Sequence, residues 1–201
     1  MLEQFFTLYL KIFFMMVPFF VMSVFLSLSK NLNKPEKKSV IFKLSVAVTI
    51  ASLIFLLFGK YIFNLFGITL DAFKIGAGTV LFLSALDMIR GGKDIPNTEI
   101  KSDSDFAIVP LAIPSTVGPG MIGILMVIGA EMAGIVEIAL VILSLLAAVF
   151  SLAGVLLVSN KLQDFIGKQG LKVLPKITGL FVSAIGAQII FSGIQGFFPI
   201  G

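Results

Sequence analysis

The amino-acid sequence predicts an all-α membrane protein: six transmembrane helices forming two inverted three-helix repeats, with the first and fourth helices interrupted. Three observations predict it. The 201 residues are 58% hydrophobic and 13% charged, with a mean hydropathy of +1.09, which leaves too little polar surface to cover a water-soluble globule of this size. Six stretches reach the roughly 20 mostly apolar residues that a helix needs to cross a bilayer. The sequence also resembles itself when displaced so that Pro18 falls on Pro119.

The first span runs from Phe5 to Leu28. It begins Met1-Leu2-Glu3-Gln4, without the basic start or the small-x-small cleavage site of a secretory signal, and is therefore read as a mature span. Inside it, Val17-Pro18-Phe19-Phe20 is a mild break with one proline. After a basic loop from Lys30 to Ser39, the second span covers Val40 to Ile62. The short Phe63 to Thr69 leads to the third, Leu70 to Ile89, whose small residues Gly76, Ala77, Gly78 and Thr79 form a stripe. Such a stripe serves close helix contact or lines a solute path. Asp87 is the one carboxylate well within an apolar run, open to a functional role or to an interfacial ion pair with Arg90.

Beyond a polar stretch from Arg90 to Asp105, the fourth span, Phe106 to Ile128, holds Pro110, Pro114 and Pro119 with Gly118 and Gly120. Each interior proline removes a backbone donor, so amides and carbonyls near Ser115 to Gly120 are expected to leave the helical ladder. Lipid cannot hydrogen-bond such groups, so they must be buried in protein or line a wet cavity. A packing kink is the other reading. The turn Glu131 to Gly134 precedes the fifth span, Ile135 to Val158, and Asn160 to Lys172 precedes the sixth, Val173 to Phe197. There Thr178-Gly179, Ser183 and Gly186-Ala187 repeat the small-residue stripe, and Gln188 stands near the place of Asp87.

The displacement that pairs Pro18 with Pro119 also pairs Phe5 with Phe106, Glu36 with Glu137 and Lys60 with Lys161. About twelve identities fall in residues 1–60, against roughly five from apolar bias. One residue further, Lys74-Ile75 meets Lys176-Ile177. The halves are residues 1–100 and 101–201, together one membrane domain. Three helices in each half is an odd number, so similarly folded halves must lie in opposite orientation, an architecture typical of secondary transporters.

The 15 Lys and Arg against 11 Asp and Glu orient the chain rather than mark a nucleic-acid partner. Lys30, Lys34, Lys37, Lys38, Lys43, Arg90, Lys93, Lys101, Lys161, Lys168, Lys172 and Lys176 lie on or beside the first, third and fifth loops, against Lys11, Lys60 and Lys74 elsewhere. By the positive-inside rule the basic loops are cytoplasmic and both termini face outward, with Tyr9 and Tyr61 near the outer interface. Zero Cys and zero His remove thiolate chemistry, the commonest general base and the commonest transition-metal ligand. An enzyme is not expected, and neither is a cofactor or a resident metal.

The run from Phe66 to Met88, Phe-Gly-Ile-Thr-Leu-Asp-Ala-Phe-Lys-Ile-Gly-Ala-Gly-Thr-Val-Leu-Phe-Leu-Ser-Ala-Leu-Asp-Met, followed by Ile108-Val-Pro-Leu-Ala-Ile-Pro-Ser-Thr-Val-Gly-Pro-Gly120, resembles the MarC family. The resemblance covers essentially the whole chain. It implies a six-span protein of a bacterial or archaeal inner membrane, grouped with the lysine-exporter superfamily, and for some members transport of small neutral amino acids such as glycine and alanine. The first span departs from the family pattern, an Asn-Pro or Asp-Pro followed closely by Gly and Asn, and keeps only Pro18. That loss points to a more apolar solute, poor transport or a different cargo.

The expected function is secondary transport of a small neutral solute, driven by a proton or sodium gradient, in a protein open to homo-oligomerisation. The expected binding site lies between the first and fourth spans: Pro18, Phe19, Pro114, Ser115, Thr116, Gly118, Pro119 and Gly120. Gly76, Gly78, Thr79, Asp87, Thr178, Gly179 and Gln188 are candidates for lining or coupling. The competing expectation is a non-transporting membrane subunit whose small-residue stripes bind partner helices.

Overall fold

The computed structural model describes residues 2–91, 112, 116–132 and 134–198, apart from the side chains of Lys60 and Lys168. Among them every regular element is a helix: α1 (Leu2–Met15), α2 (Pro18–Leu28), α3 (Lys34–Phe66), α4 (Leu70–Arg90), α5 (Pro119–Glu131), α6 (Ile135–Leu157) and α7 (Ser159–Phe197).

The first span is broken where its proline stands. Pro18 is the first residue of α2, and the residue before it, Val17, has φ 52° and ψ 53°, the one non-glycine positive φ among the described residues. A proline crowds the preceding residue out of the right-handed helical region. Left-handed backbone at a β-branched residue costs about 1–3 kcal/mol, so surrounding structure must hold it. Part of that hold is local: the Val17 carbonyl accepts from the Phe20 and Val21 amides at 3.0 and 3.1 Å. The two helices meet at a 40° bend.

α3 starts before the expected Val40 and ends after the expected Ile62. The Asn33 side chain accepts from the Glu36 amide at 3.0 Å, and Glu36 accepts from the Asn33 amide at 2.8 Å. This capping box satisfies first-turn donors, so the helix extends through polar residues beyond its apolar stretch. Gly67, at φ 63°, ends it. α4 matches its expected bounds closely, with the Thr69 hydroxyl accepting from the Ala72 amide at 3.3 Å and Gly91 at φ 107° closing the far end.

The described part of the fourth span differs more from a plain helix. The Val117 amide reaches back five residues to the Ala112 carbonyl at 2.9 Å, and α5 then begins at Pro119. Its 13 residues rise about 20 Å, short of the roughly 30 Å hydrocarbon core. Pro110, Pro114 and Ser115 lie outside the described residues. The expected loop from Asn160 to Lys172 is largely helical, interrupted at Gly167 with φ 73° and ψ 171°.

Four helices are long and apolar enough to cross a membrane, within Lys34–Gly59, Leu70–Arg90, Ile135–Leu157 and Gln169–Phe197, and the bent α1–α2 pair makes a fifth candidate. Large apolar side chains such as Phe42 and Phe150, 71% and 74% exposed, face outward, as lipid-facing residues do. The protein is thus an all-α membrane protein.

α4 and α7 make the most extensive helix contact. A Cβ on Gly78 would come within 2.9 Å of the Gly186 carbonyl oxygen, and one on Gly179 within 2.9 Å of the Ala85 carbonyl oxygen. The two helices run antiparallel, since Gly193 near the end of α7 backs onto Asp71 near the start of α4. α1 is antiparallel to α7 in turn: Phe14 stacks on Phe181 at 5.0 Å, and Lys11 shares a cavity with Gln188 and Ser192. The starts of α1 and α4 and the end of α7 therefore lie at one end of the bundle. The Tyr9 hydroxyl shares a 2.9 Å hydrogen bond with Ser151 of α6.

Candidate functional site

Two helices start away from the ends of the bundle, at a buried Pro18 and at an exposed Pro119. Pro18, buried, starts α2, and Phe19 beside it is half-buried against the core. Pro119 starts α5, with Gly118 before it in extended backbone at φ −79° and ψ 172°. Thr116 is buried, as is Gly120, where a Cβ would meet the Leu81 backbone at 3.0 Å. Leu81 is the middle of α4, so α5 begins at half the depth of its neighbour. A proline contributes no amide. The Phe20 and Val21 amides pair with the Val17 carbonyl and the Ile122 amide with the Gly118 carbonyl, so the donors left over at these starts are the few amides directly after each proline. Of the residues expected to bind solute, the structure thus places Pro18, Phe19, Gly118, Pro119 and Gly120 at helix starts, and Thr116 three residues before α5.

The expected lining residues separate into three groups. Gly78, Thr178 and Gly179 are buried, Gly78 and Gly179 in the α4–α7 contact, and the Thr178 hydroxyl donates to the Leu174 carbonyl at 3.1 Å. Packing accounts for them. Gly76 and Thr79 are exposed, and the Thr79 hydroxyl donates to the Ile75 carbonyl at 2.7 Å. Asp87 is exposed rather than buried, and has no ion-pair partner among the described residues, Arg90 included. Gln188 alone of the seven lines a polar cavity.

That cavity, about 110 Å³, lies between α1, α4, α5 and α7. Its polar wall is Lys11, Lys74, Glu131, Gln188 and Ser192, and its apolar wall includes Ile124 and Val127 of α5. Lys74 pairs with Glu131 at 2.7 Å and with Asp71 at 3.7 Å. Its side chain is only 12% exposed, whereas that of Glu131 is 49% exposed. Lys11, half-buried in the same wall, has no ion pair or hydrogen bond among the described residues. Sequence reasoning used Lys11 only to orient the chain, and Lys74 for that and for the internal repeat. The usable signal was an ammonium six residues inside an apolar run, which is costly in lipid and therefore points inward. A larger groove of about 590 Å³ between α3 and α6 is walled mainly by apolar side chains such as Ile41 and Phe150, a surface suited to lipid tails rather than to orienting a polar solute.

A family model described as MarC family integral membrane protein matches residues 2–198. A UPF0056 membrane protein of Methanocaldococcus jannaschii is 37% identical over 97% of this chain and 98% of its own length. One from Pyrococcus horikoshii is 33% identical over 99% and 98%. A bacterial relative, the UPF0056 membrane protein YhcE of Escherichia coli, is 29% identical over 97% and 94%. No solved structure matches the chain.

Proposed function

The chain belongs to the MarC family of integral membrane proteins, and on that premise we propose that it is a secondary transporter of a small neutral solute, a small amino acid such as glycine or alanine. The observation that carries this reading is the pair of helix starts away from the bundle ends, at Pro18 and at Pro119, whose neighbour Gly120 packs on the middle of α4. Interrupted helices present unpaired backbone at membrane depth, where a polar solute can use it.

In this reading the molecule is an inverted repeat of six spans. α3 and α6 begin at Lys34 and Ile135, at the same displacement as the two prolines, and left-handed glycines follow at Gly67 and Gly167. α5 finishes at the end of the bundle from which α4 starts, where Lys74 pairs with Glu131. The basic ends of α3, α4 and α7 face the cytoplasm and both termini face outward. The protein resides in the inner membrane of a bacterium or archaeon, and a proton or sodium gradient drives the cycle. The alternative, a subunit offering small-residue stripes to partner helices, is disfavoured because α4 and α7 already use Gly78, Gly179 and Gly186 against each other.

Exchange of labelled alanine or glycine into proteoliposomes tests the function. Gly118→Leu keeps an ordinary extended backbone but fills the space before α5. At equal amounts of folded protein it is expected to reduce exchange about tenfold or more, the equivalent of ~1.4 kcal/mol. Ser115→Ala, which leaves the backbone untouched, is expected to change it less than about twofold. Undiminished exchange in Gly118→Leu would remove the solute from the α5 start, and a wild-type protein without exchange would remove transport.

A further inference from the structure

The cavity between α1, α4, α5 and α7 holds charges that are answered unequally. Lys74 has two carboxylates within 4.0 Å, Asp71 and Glu131, whereas Lys11 has none that close and meets Glu131 only at longer range. A half-buried ammonium in an apolar wall is costly until an anion or a set of acceptors meets it. On Glu131, Oε1 takes the bond to Lys74, and Oε2 has no partner among the described residues.

We propose that this cavity is a subsite for the zwitterionic head of a small amino acid, whose carboxylate meets the Lys11 ammonium and whose ammonium meets Glu131 Oε2. The proposal rests on the transport reading and deepens it by naming the chemistry recognised on the way to the helix starts. Lys11, Lys74, Asp71 and Glu131 sum to zero formal charge. A zwitterion is also neutral, so its arrival adds no net charge to a low-dielectric wall, whereas a lone anion or cation would. Gln188 and Ser192 supply neutral hydrogen-bonding groups, and a volume of about 110 Å³ walled by Ile124 and Val127 admits only a short apolar side chain. The place fits a path as well. Ile124 is about one helical turn beyond Gly120, and Lys11 lies about 9 Å along α1 from Val17.

Binding of labelled alanine to the purified full-length protein in detergent tests this directly, alongside exchange in proteoliposomes. Propionate and ethylamine, each carrying one of the two charges of alanine, are expected to compete at least ~10-fold more weakly than unlabelled alanine, because each meets only one of Lys11 and Glu131 Oε2. Lys11→Met and Glu131→Gln are each expected to weaken alanine binding at least ~10-fold, and Lys11→Arg to retain most of it. Glu131 is 49% exposed, so its variant keeps the test open where Lys11→Met fails to fold. Propionate competing as well as alanine, or unchanged binding in both charge-removing variants, overturns the subsite while leaving transport intact. Lys11-dependent binding without exchange in proteoliposomes overturns transport and leaves the subsite. Absence of both binding and exchange overturns both.

Discussion

Two glycines of α4, two residues apart, do different work. A Cβ on Gly78 would press on the Gly186 carbonyl oxygen at 2.9 Å, whereas nothing lies within 4 Å of a Cβ on Gly76. Gly76→Ala is therefore expected to stabilise the protein by up to ~1 kcal/mol, the helix-interior preference for alanine over glycine. Gly78→Ala is expected to destabilise it by ~1–3 kcal/mol, because two backbones must separate. Thermal unfolding in one detergent reads both, and a lower Tm for Gly76→Ala than for Gly78→Ala would reverse the assignment. In the sequence both glycines belong to one stripe. Which of them faces α7 depends on the rotation of α4 about its axis, and only the packed bundle determines that. Lys11 makes the same point for charge, since its place in an apolar run is plain in the sequence but its nearness to Glu131 and Gln188 is not.

At the scale of elements, hydropathy located four spans and the bent first one, and polar capping located helix ends. α4 begins at the expected Leu70, where apolar stretch and cap coincide. α3 begins six residues before the expected Val40, because Asn33 and Glu36 cap it outside the apolar stretch. Asn33→Ala is expected to cost ~1 kcal/mol and to fray the first turn of α3. Hydrogen exchange at residues 34–38 measures this, and unchanged protection would show that packing, not the cap, holds that turn. The break in the first span was legible because proline acts on its neighbour within one residue. The form of the break, Val17 in left-handed backbone and a 40° bend, required the neighbours that hold it.

For the whole molecule, the antiparallel contacts of α7 with α1 and α4 bring the described ends of the chain to one end of the bundle. The contacts are indifferent to which end is outside, so the orientation rests on the lysines. The chain has no cysteine, which makes single-cysteine labelling a direct check. Tyr61→Cys, near the far end of α3, is expected to react with a membrane-impermeant maleimide in intact cells, and Lys38→Cys, near its start, only after permeabilisation. The opposite pattern would invert the molecule in the membrane.

Composition by itself determined that this protein lives in a bilayer, and the apolar runs determined the cores of the helices long enough to cross it but not their polar ends, because transfer free energy acts residue by residue along the chain. Proline positions likewise marked where the first and fourth spans stop being simple helices. Only the tertiary structure decided that Gly78, Gly179 and Gly186 are spent on helix contact, that Asp87 is exposed, and that Lys11, Lys74 and Glu131 share one cavity. Those outcomes depend on distances between residues far apart in sequence, set when helices rotate and slide to bury their small faces, and no local pattern encodes them.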